Sequence, residues 1–124
     1  MKKVYLAIPY TRMEESSYEQ ATLATHRLLE RGINVFSPIT HCHPLTKFDD
    51  RPLPGTWDFW SQVDYQFIDW ADEVYVLIPE EGYDAVLNST GVQAEIAYAT
   101  ENNVPIKFLH MVKGEIAYTV ESVA

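Results

Sequence analysis

Two carboxylates occupy helix positions where apolar side chains are expected. The first is Glu95, in the stretch Asn88-Ser89-Thr90-Gly91-Val92-Gln93-Ala94-Glu95-Ile96-Ala97-Tyr98-Ala99. This stretch reads as a polar turn opening into a helix. Thr90 and Gln93 have capping-box spacing, which predicts a helix from just after Thr90 to about Asn103. At about 100° per residue, Val92, Ile96, Ala99 and Asn103 share one stripe, and Glu95 lies about 60° from Val92, on the stripe's edge. The helix N-terminus favours the ionised carboxylate and partial burial favours the neutral acid. A solvated flank residue is the plain alternative.

The second is Asp64, on a helix predicted over Trp57 to Ala71. There Trp57, Trp60, Phe67, Ile68 and Ala71 form one stripe, with Asp58, Gln62, Gln66 and Asp69 opposite, and Asp64 falls in the middle of the apolar side. An unpartnered Asp in that place would cost several kcal/mol or be protonated. It therefore needs either backbone amides as partners or a cavity to line, and pockets collect such groups. Two acids from different helices suit glycosidic chemistry. One attacks an anomeric carbon, while the other assists the departing group or holds the sugar. Trp57, Phe59 and Trp60 are placed to stack on a flat base or, equally, to pack the core.

The elements that must position these acids alternate. Val4-Tyr5-Leu6-Ala7-Ile8 is a nearly continuous apolar run ending at Pro9, as a central parallel strand should be. Capping boxes at Thr11/Glu14 and Ser16/Glu19 offer two starts for a helix with an Ala21, Ala24, Leu28 stripe, ended by Gly32. Ile33–Ser37 is a second strand. Pro38 to Thr56 reads as a long structureless segment, of the kind that serves as a lid or binding loop. Glu73–Pro79 and Val104–Leu109 are further strands, residues 80–89 a polar turn, and Ile116 to Val120 an edge strand. This order predicts a three-layer, Rossmann- or flavodoxin-like fold: a mostly parallel sheet of four to five strands with helices on both faces. Ligands bind such sheets beyond the carboxyl ends of the strands, where both acids are expected.

The totals narrow the class. The 124 residues fit one domain spanning 1–124, and 47% hydrophobic with 13% aromatic residues mark a globular chain. A formal net charge of −9 argues against binding nucleic-acid polymers. Cys42 is the one cysteine, which fits a reducing compartment. The apolar run after Met1-Lys2-Lys3 is too short for a signal peptide and none approaches a membrane span, so a cytoplasmic protein is expected. His41-Cys42-His43 invites a metal reading, but a closed site needs further ligands and no obvious pair is present. No glycine-rich dinucleotide or phosphate loop occurs, and no cofactor is expected. Asp49-Asp50 and Glu80-Glu81 read as solvated loop charges.

Taken together, Tyr5-Leu6-Ala7 on the first strand, Asp64 ahead of Ala71-Asp72, and Ser89-Thr90-Gly91-Val92-Gln93-Ala94-Glu95-Ile96-Ala97 resemble the nucleoside 2-deoxyribosyltransferase-like superfamily, in a bacterial branch of it. That group also holds 2′-deoxynucleoside 5′-monophosphate N-glycosidases and cytidylate N-ribosidases. The likeness runs from about residue 3 to residue 110. It implies that Glu95 attacks C1′ to form a glycosyl-enzyme intermediate and that the Tyr5 hydroxyl orients that carboxylate. Asp64 would contact the sugar hydroxyls or help protonate the leaving base. Ser89 stands where the transferases carry an acid and the monophosphate hydrolases a phosphate-binding serine, which tilts the expectation towards hydrolysis. Thr11 and Arg12 lie near the hydrolases' phosphate contacts, although Pro9 and Tyr10 depart from the family's pattern there. Gly91, Trp57, Trp60 and His43 complete the expected substrate-binding set. The resemblance further implies a small nucleoside or nucleotide as ligand and a homodimer or larger homo-oligomer. A non-catalytic nucleotide-sensing module, or a flavodoxin-like interaction domain with structural carboxylates, would fit the same fold.

Overall fold

A computed structural model describes residues 1–48, 50–51 and 53–119. Its strands are β1 (Lys3–Ala7), β2 (Asn34–Phe36), β3 (Glu73–Leu77), β4 (Ile106–Val112) and β5 (Glu115–Tyr118). Its helices are α1 (Glu14–Glu30), α2 (Pro38–Cys42), α3 (Trp57–Trp70), α4 (Tyr83–Leu87) and α5 (Thr90–Glu101), with a 3₁₀ turn at His43–Lys47. One sheet runs in the order β2-β1-β3-β4-β5, parallel except for β5. The expected mostly parallel sheet with helices on both faces is thus present. The end of the expected edge strand, Val120, lies outside the described residues, as does Asp49 of the loop pair.

Alternation along β1 splits the core in two. Val4, Leu6 and Ile8 pack with Ala21, Ala24 and Leu28 of α1, while Tyr5 and Ala7 pack with Ile68 of α3 and Val92 and Ala99 of α5. This is the two-residue period of a strand buried on both sides. At the opposite sheet edge from the strands' carboxyl ends, the buried Glu73 carboxylate is paired by Lys2 (2.6 Å) and Lys107 (3.0 Å). The β4–β5 hairpin turns through Lys113 (φ 51°) and Gly114 (φ 79°), both in the left-handed region that a tight two-residue hairpin needs.

Several expected boundaries are corrected by what the side chains bond. Neither capping box opens α1: Met13 precedes it with no side-chain cap, Ser16 donates to Glu81 (2.6 Å) and Ser17 to the Pro9 carbonyl. The cap of α5 is Ser89 and not Thr90, since its hydroxyl accepts from the Val92 N–H (3.2 Å), while Gln93 donates to the Val86 carbonyl (3.0 Å). The segment after Pro38 is partly helical, because Ser37 accepts from the Thr40 N–H and Pro38 stands in the first turn of α2. Residues 80–89 are likewise more than a turn, containing α4.

The end of α1 follows expectation. Gly32 (φ 80°) donates to the Leu29 carbonyl (3.0 Å), and Ile33 reaches back to Leu28 (3.1 Å), a Schellman closure that delivers the chain into β2. A Cβ at Gly32 would meet nothing within 4 Å. Gly32→Ala should therefore lower stability through backbone strain alone, by about 1–2 kcal/mol in urea unfolding. A loss well beyond that would mean that packing at this corner has been misjudged.

Candidate active site

The chain passes from β1 through α1 to β2 on one side, then crosses through α3 to β3 on the other. Strand order therefore reverses between β1 and β3, and the carboxyl ends of such strands leave a crevice. A cleft of about 770 Å³ opens there, walled by Leu6–Glu14, by part of the 38–57 segment, by Trp60 and Asp64 of α3, and by Ala85 to Glu95 around the start of α5.

Glu95 faces this cleft from the second turn of α5 and is only 6% exposed. The hydroxyl of the fully buried Tyr5, rising from β1 beneath the cleft, donates to its Oε2. Asp64, 7% exposed on α3, shares the cleft wall and lies close enough to Tyr5 and Glu95 for its charge to raise both of their pKa values. Its Oδ1 is buried with no hydrogen-bond partner. No backbone amide among the described residues reaches this oxygen. An unsatisfied buried acceptor costs about 1–3 kcal/mol and awaits a donor.

Burial, and then the neighbouring Asp64 charge, push Glu95 up to about 8, while the Tyr5 hydrogen bond acts in the opposite direction. Burial likewise pushes Asp64 up to about 6. The two acids thus share a proton around neutrality and titrate as a pair. Burial and both acid charges hold Tyr5 well above its usual range, so it remains a hydroxyl donor. The Cys42 thiol in the same cleft is pushed up to about 11 by burial and by Asp64, which keeps it protonated and inert as a nucleophile.

Every other residue expected in the site lines this cleft: Ser89, Gly91, Thr11, Arg12, Trp57, Trp60 and His43. Their commitments differ. Ser89 spends its hydroxyl oxygen on the helix cap. Gly91 lies against Trp57, whose ring would be 3.6 Å from an added Cβ, an ordinary contact. Trp60 donates from Nε1 to the Pro54 carbonyl (2.8 Å), tying the cleft's outer segment to α3, and Phe59 packs on Trp60 outside the lining. Arg12 sits at φ 71° in a tight turn closed by Met13 N–H to Tyr10 O (3.1 Å), its own N–H held by Glu14 (2.9 Å). His43 has both ring nitrogens bonded, to Tyr10 and Glu15, so it is a wall residue with protein partners. Tyr10 also lines the cleft and was not among the expected residues; the break that Pro9 and Tyr10 make in the family pattern was its only trace in the sequence. Among the described residues no group of three or more His, Cys, Asp or Glu could hold a metal ion. No helix among them is long and apolar enough to cross a membrane.

A family model described as Domain of unknown function (DUF1937) matches residues 2–111. The chain belongs to this family. A solved structure of the 2-deoxyribosyltransferase from the psychrotolerant bacterium Bacillus psychrosaccharolyticus aligns with the DUF1937 chain at a TM-score of 0.62 and 25% identity. The alignment covers 98% of this chain and 77% of that one. The fold is accordingly deoxyribosyltransferase-like. No curated protein matches the sequence.

Because both acids hold their protons more tightly folded than unfolded, their burial costs stability as pH rises. The penalty is absent below the ordinary carboxylate range and grows through pH 6 and 8. Glu95→Gln removes the larger part of it. The variant should melt above the wild type at pH 8.5, with the gap narrowing towards pH 4.5, when followed by circular dichroism. A gap that stays constant with pH, or widens in acid, would contradict the raised affinity for protons.

Proposed function

We propose that this DUF1937 chain cleaves the N-glycosidic bond of a nucleoside or nucleoside 5′-monophosphate through a covalent glycosyl-Glu95 intermediate. The observation that supports it best is the buried Glu95 carboxylate, held by the Tyr5 hydroxyl beside an Asp64 oxygen that lacks a donor, all at the mouth of a parallel sheet. The fold neighbour, a 2-deoxyribosyltransferase described as a biocatalyst for nucleoside synthesis, supports the same substrate class.

Cleavage develops positive charge on the sugar, which an ionised Glu95 beside C1′ stabilises before bonding to it. To attack C1′, Glu95 must be ionised; the hydrogen bond from Tyr5 favours that form, against burial and the Asp64 charge, which favour the neutral acid. Asp64 then faces the sugar hydroxyls, and its orphaned Oδ1 gains the donor it lacks. Trp57 and Trp60 offer flat faces to the base. The glycosyl group passes to water or to a second base. Ser89 in place of the transferases' acid makes water the favoured acceptor, with Thr11 and Arg12 on the rim available to a 5′-phosphate. The working unit is one domain, in an assembly of two or more copies. That assembly is supported by Leu45, Phe48 and Leu53, exposed apolar side chains in the segment beside the cleft. The single cysteine supports a reducing, cytoplasmic setting.

The test is release of free base, followed by chromatography, from a panel of deoxy- and ribonucleosides and their 5′-monophosphates, each with and without a second base. Wild type should act on at least one. Glu95→Gln should reduce that rate by about a thousandfold or more while retaining nucleoside binding. Wild-type inactivity across the panel, or a Glu95→Gln variant as active as wild type, would overturn the reading.

A further inference from the structure

We propose that Tyr10 and His43, with Glu15 holding the imidazole, form a proton relay that serves the leaving and entering groups in this cleft. The inference rests on the glycosidic reading above and adds working residues beyond Tyr5, Asp64 and Glu95. Breaking an N-glycosidic bond needs a proton delivered to the base nitrogen, and breaking the glycosyl-enzyme bond with water needs one removed. A side chain that does both needs a path by which a neighbouring group lends the proton and takes it back.

The geometry provides such a path. Tyr10 lines the cleft just past β1, and its hydroxyl lies 2.7 Å from His43 Nδ1. His43 Nε2 lies 3.2 Å from Glu15 Oε1 at the exposed start of α1, and Lys47 bonds the same oxygen. The imidazole is 5% exposed and stacked on Tyr18 at 4.7 Å, so it connects a cleft-facing phenol to a solvent-facing carboxylate through a dry wall. The groups facing His43 are Glu14, Glu15 and Tyr18 of α1 and Tyr10 of the β1–α1 turn, while Lys47 of its own segment reaches it through Glu15 and Cys42 adjoins Tyr10. Lys47, and then His43, hold Glu15 below its ordinary range, so it is ionised and only accepts. Nε2 must then carry a hydrogen, which leaves Nδ1 as the one nitrogen that changes role.

The role change sets the direction of the Tyr10 hydroxyl. With imidazolium, Nδ1–H donates to the Tyr10 oxygen and the phenol hydrogen is free for the cleft. With neutral imidazole, the phenol donates to Nδ1 and its oxygen offers a lone pair to the cleft. In the first half-reaction the C1′–N bond breaks, its electrons go to the base nitrogen, and C1′ bonds to Glu95. The nitrogen takes the Tyr10 proton, and Tyr10 takes that of Nδ1. In the second, water attacks C1′ and the bond to Glu95 breaks. The water proton passes to Tyr10, whose own returns to Nδ1. The cycle closes with His43 as it began. Burial, helped by the Glu14 and Glu15 charges, keeps Tyr10 protonated between turnovers.

A leaving group that needs no proton separates this role from simple support. 7-Methyl-2′-deoxyguanosine already carries positive charge on its base, which departs neutral. Tyr10→Phe should slow base release from unmodified 2′-deoxynucleosides about 100-fold or more, but from 7-methyl-2′-deoxyguanosine by less than about threefold. His43→Gln, which keeps a hydrogen-bonding wall but cannot cycle a proton, should show the same selectivity; wild-type-like melting of Tyr10→Phe guards against misfolding as the cause. Equal losses on both substrates, or no loss on either, would overturn the relay and leave the Glu95 reading standing. A wild type that releases base from no nucleoside or nucleoside 5′-monophosphate overturns both.

Discussion

The hydrogen bond from Tyr5 to Glu95 is the constraint around which the rest is arranged. It joins a central strand to α5 through the interior, and it fixes a largely buried carboxylate at the wall of the cleft. Burying an acid is unfavourable unless it is neutral or paired. Here the environment does neither completely. Tyr5 supplies one donor, Asp64 contributes repulsion, and no cation stands beside them among the described residues. The result is a pair of acids with room for one negative charge and one proton, together with an oxygen on Asp64 that no protein donor reaches. A fold that tolerated this merely for packing would gain by replacing either acid with an apolar residue.

The sheet explains how such a site is affordable. β1 and β3 are buried on both faces, and their alternating side chains build separate cores under α1 and under α3 and α5. Tyr5 is a core residue by position and a site residue only at its oxygen. One side chain therefore spends its ring on packing and its hydroxyl on Glu95, so the site's position is as firm as the strand. The cleft needs no separate scaffold: the reversal of strand order between β1 and β3 already keeps α1 and α3 on opposite faces and leaves the strand ends uncovered.

How much of this was legible in the sequence depended on how local each signal was. The parallel sheet and the bounds of α3 follow from apolar runs and a helical stripe, and Asp64 stood out because it interrupted that stripe. Glu95 gave a weaker signal, since its burial is decided by Tyr5, 90 positions away. The helix starts were misread for the same reason. Ser16 is bonded by Glu81 and Gln93 by Val86, so spacing that suits a capping box was put to other use. α2 and α4, of five residues each, are too short for a period to appear. His43 looked like a ligand-facing residue of a loop. That its nitrogens are claimed from two directions could not be inferred from the triplet in which it sits.

The two walls of the cleft also differ in how they treat charge, and that difference bears on their division of labour. The wall formed by α3 and α5 holds largely buried acids, whose protons are bound more tightly than those of exposed carboxyls. The wall formed by the β1–α1 turn and the His43 turn ends on exposed Glu14, Glu15 and Lys47, with Arg12 at the rim. A reaction that creates a cation on the sugar wants fixed negative charge close by and little water. Proton transfer to or from a departing base wants a group that can take up and give back a proton near the working pH. These needs conflict within a single wall, because the polar groups that stabilise a charged proton donor would also screen the carboxylate. In the proposed reaction, separating them across one cleft would satisfy both without enlarging the pocket, and Cys42, held protonated by burial and Asp64, adds no charge to either wall.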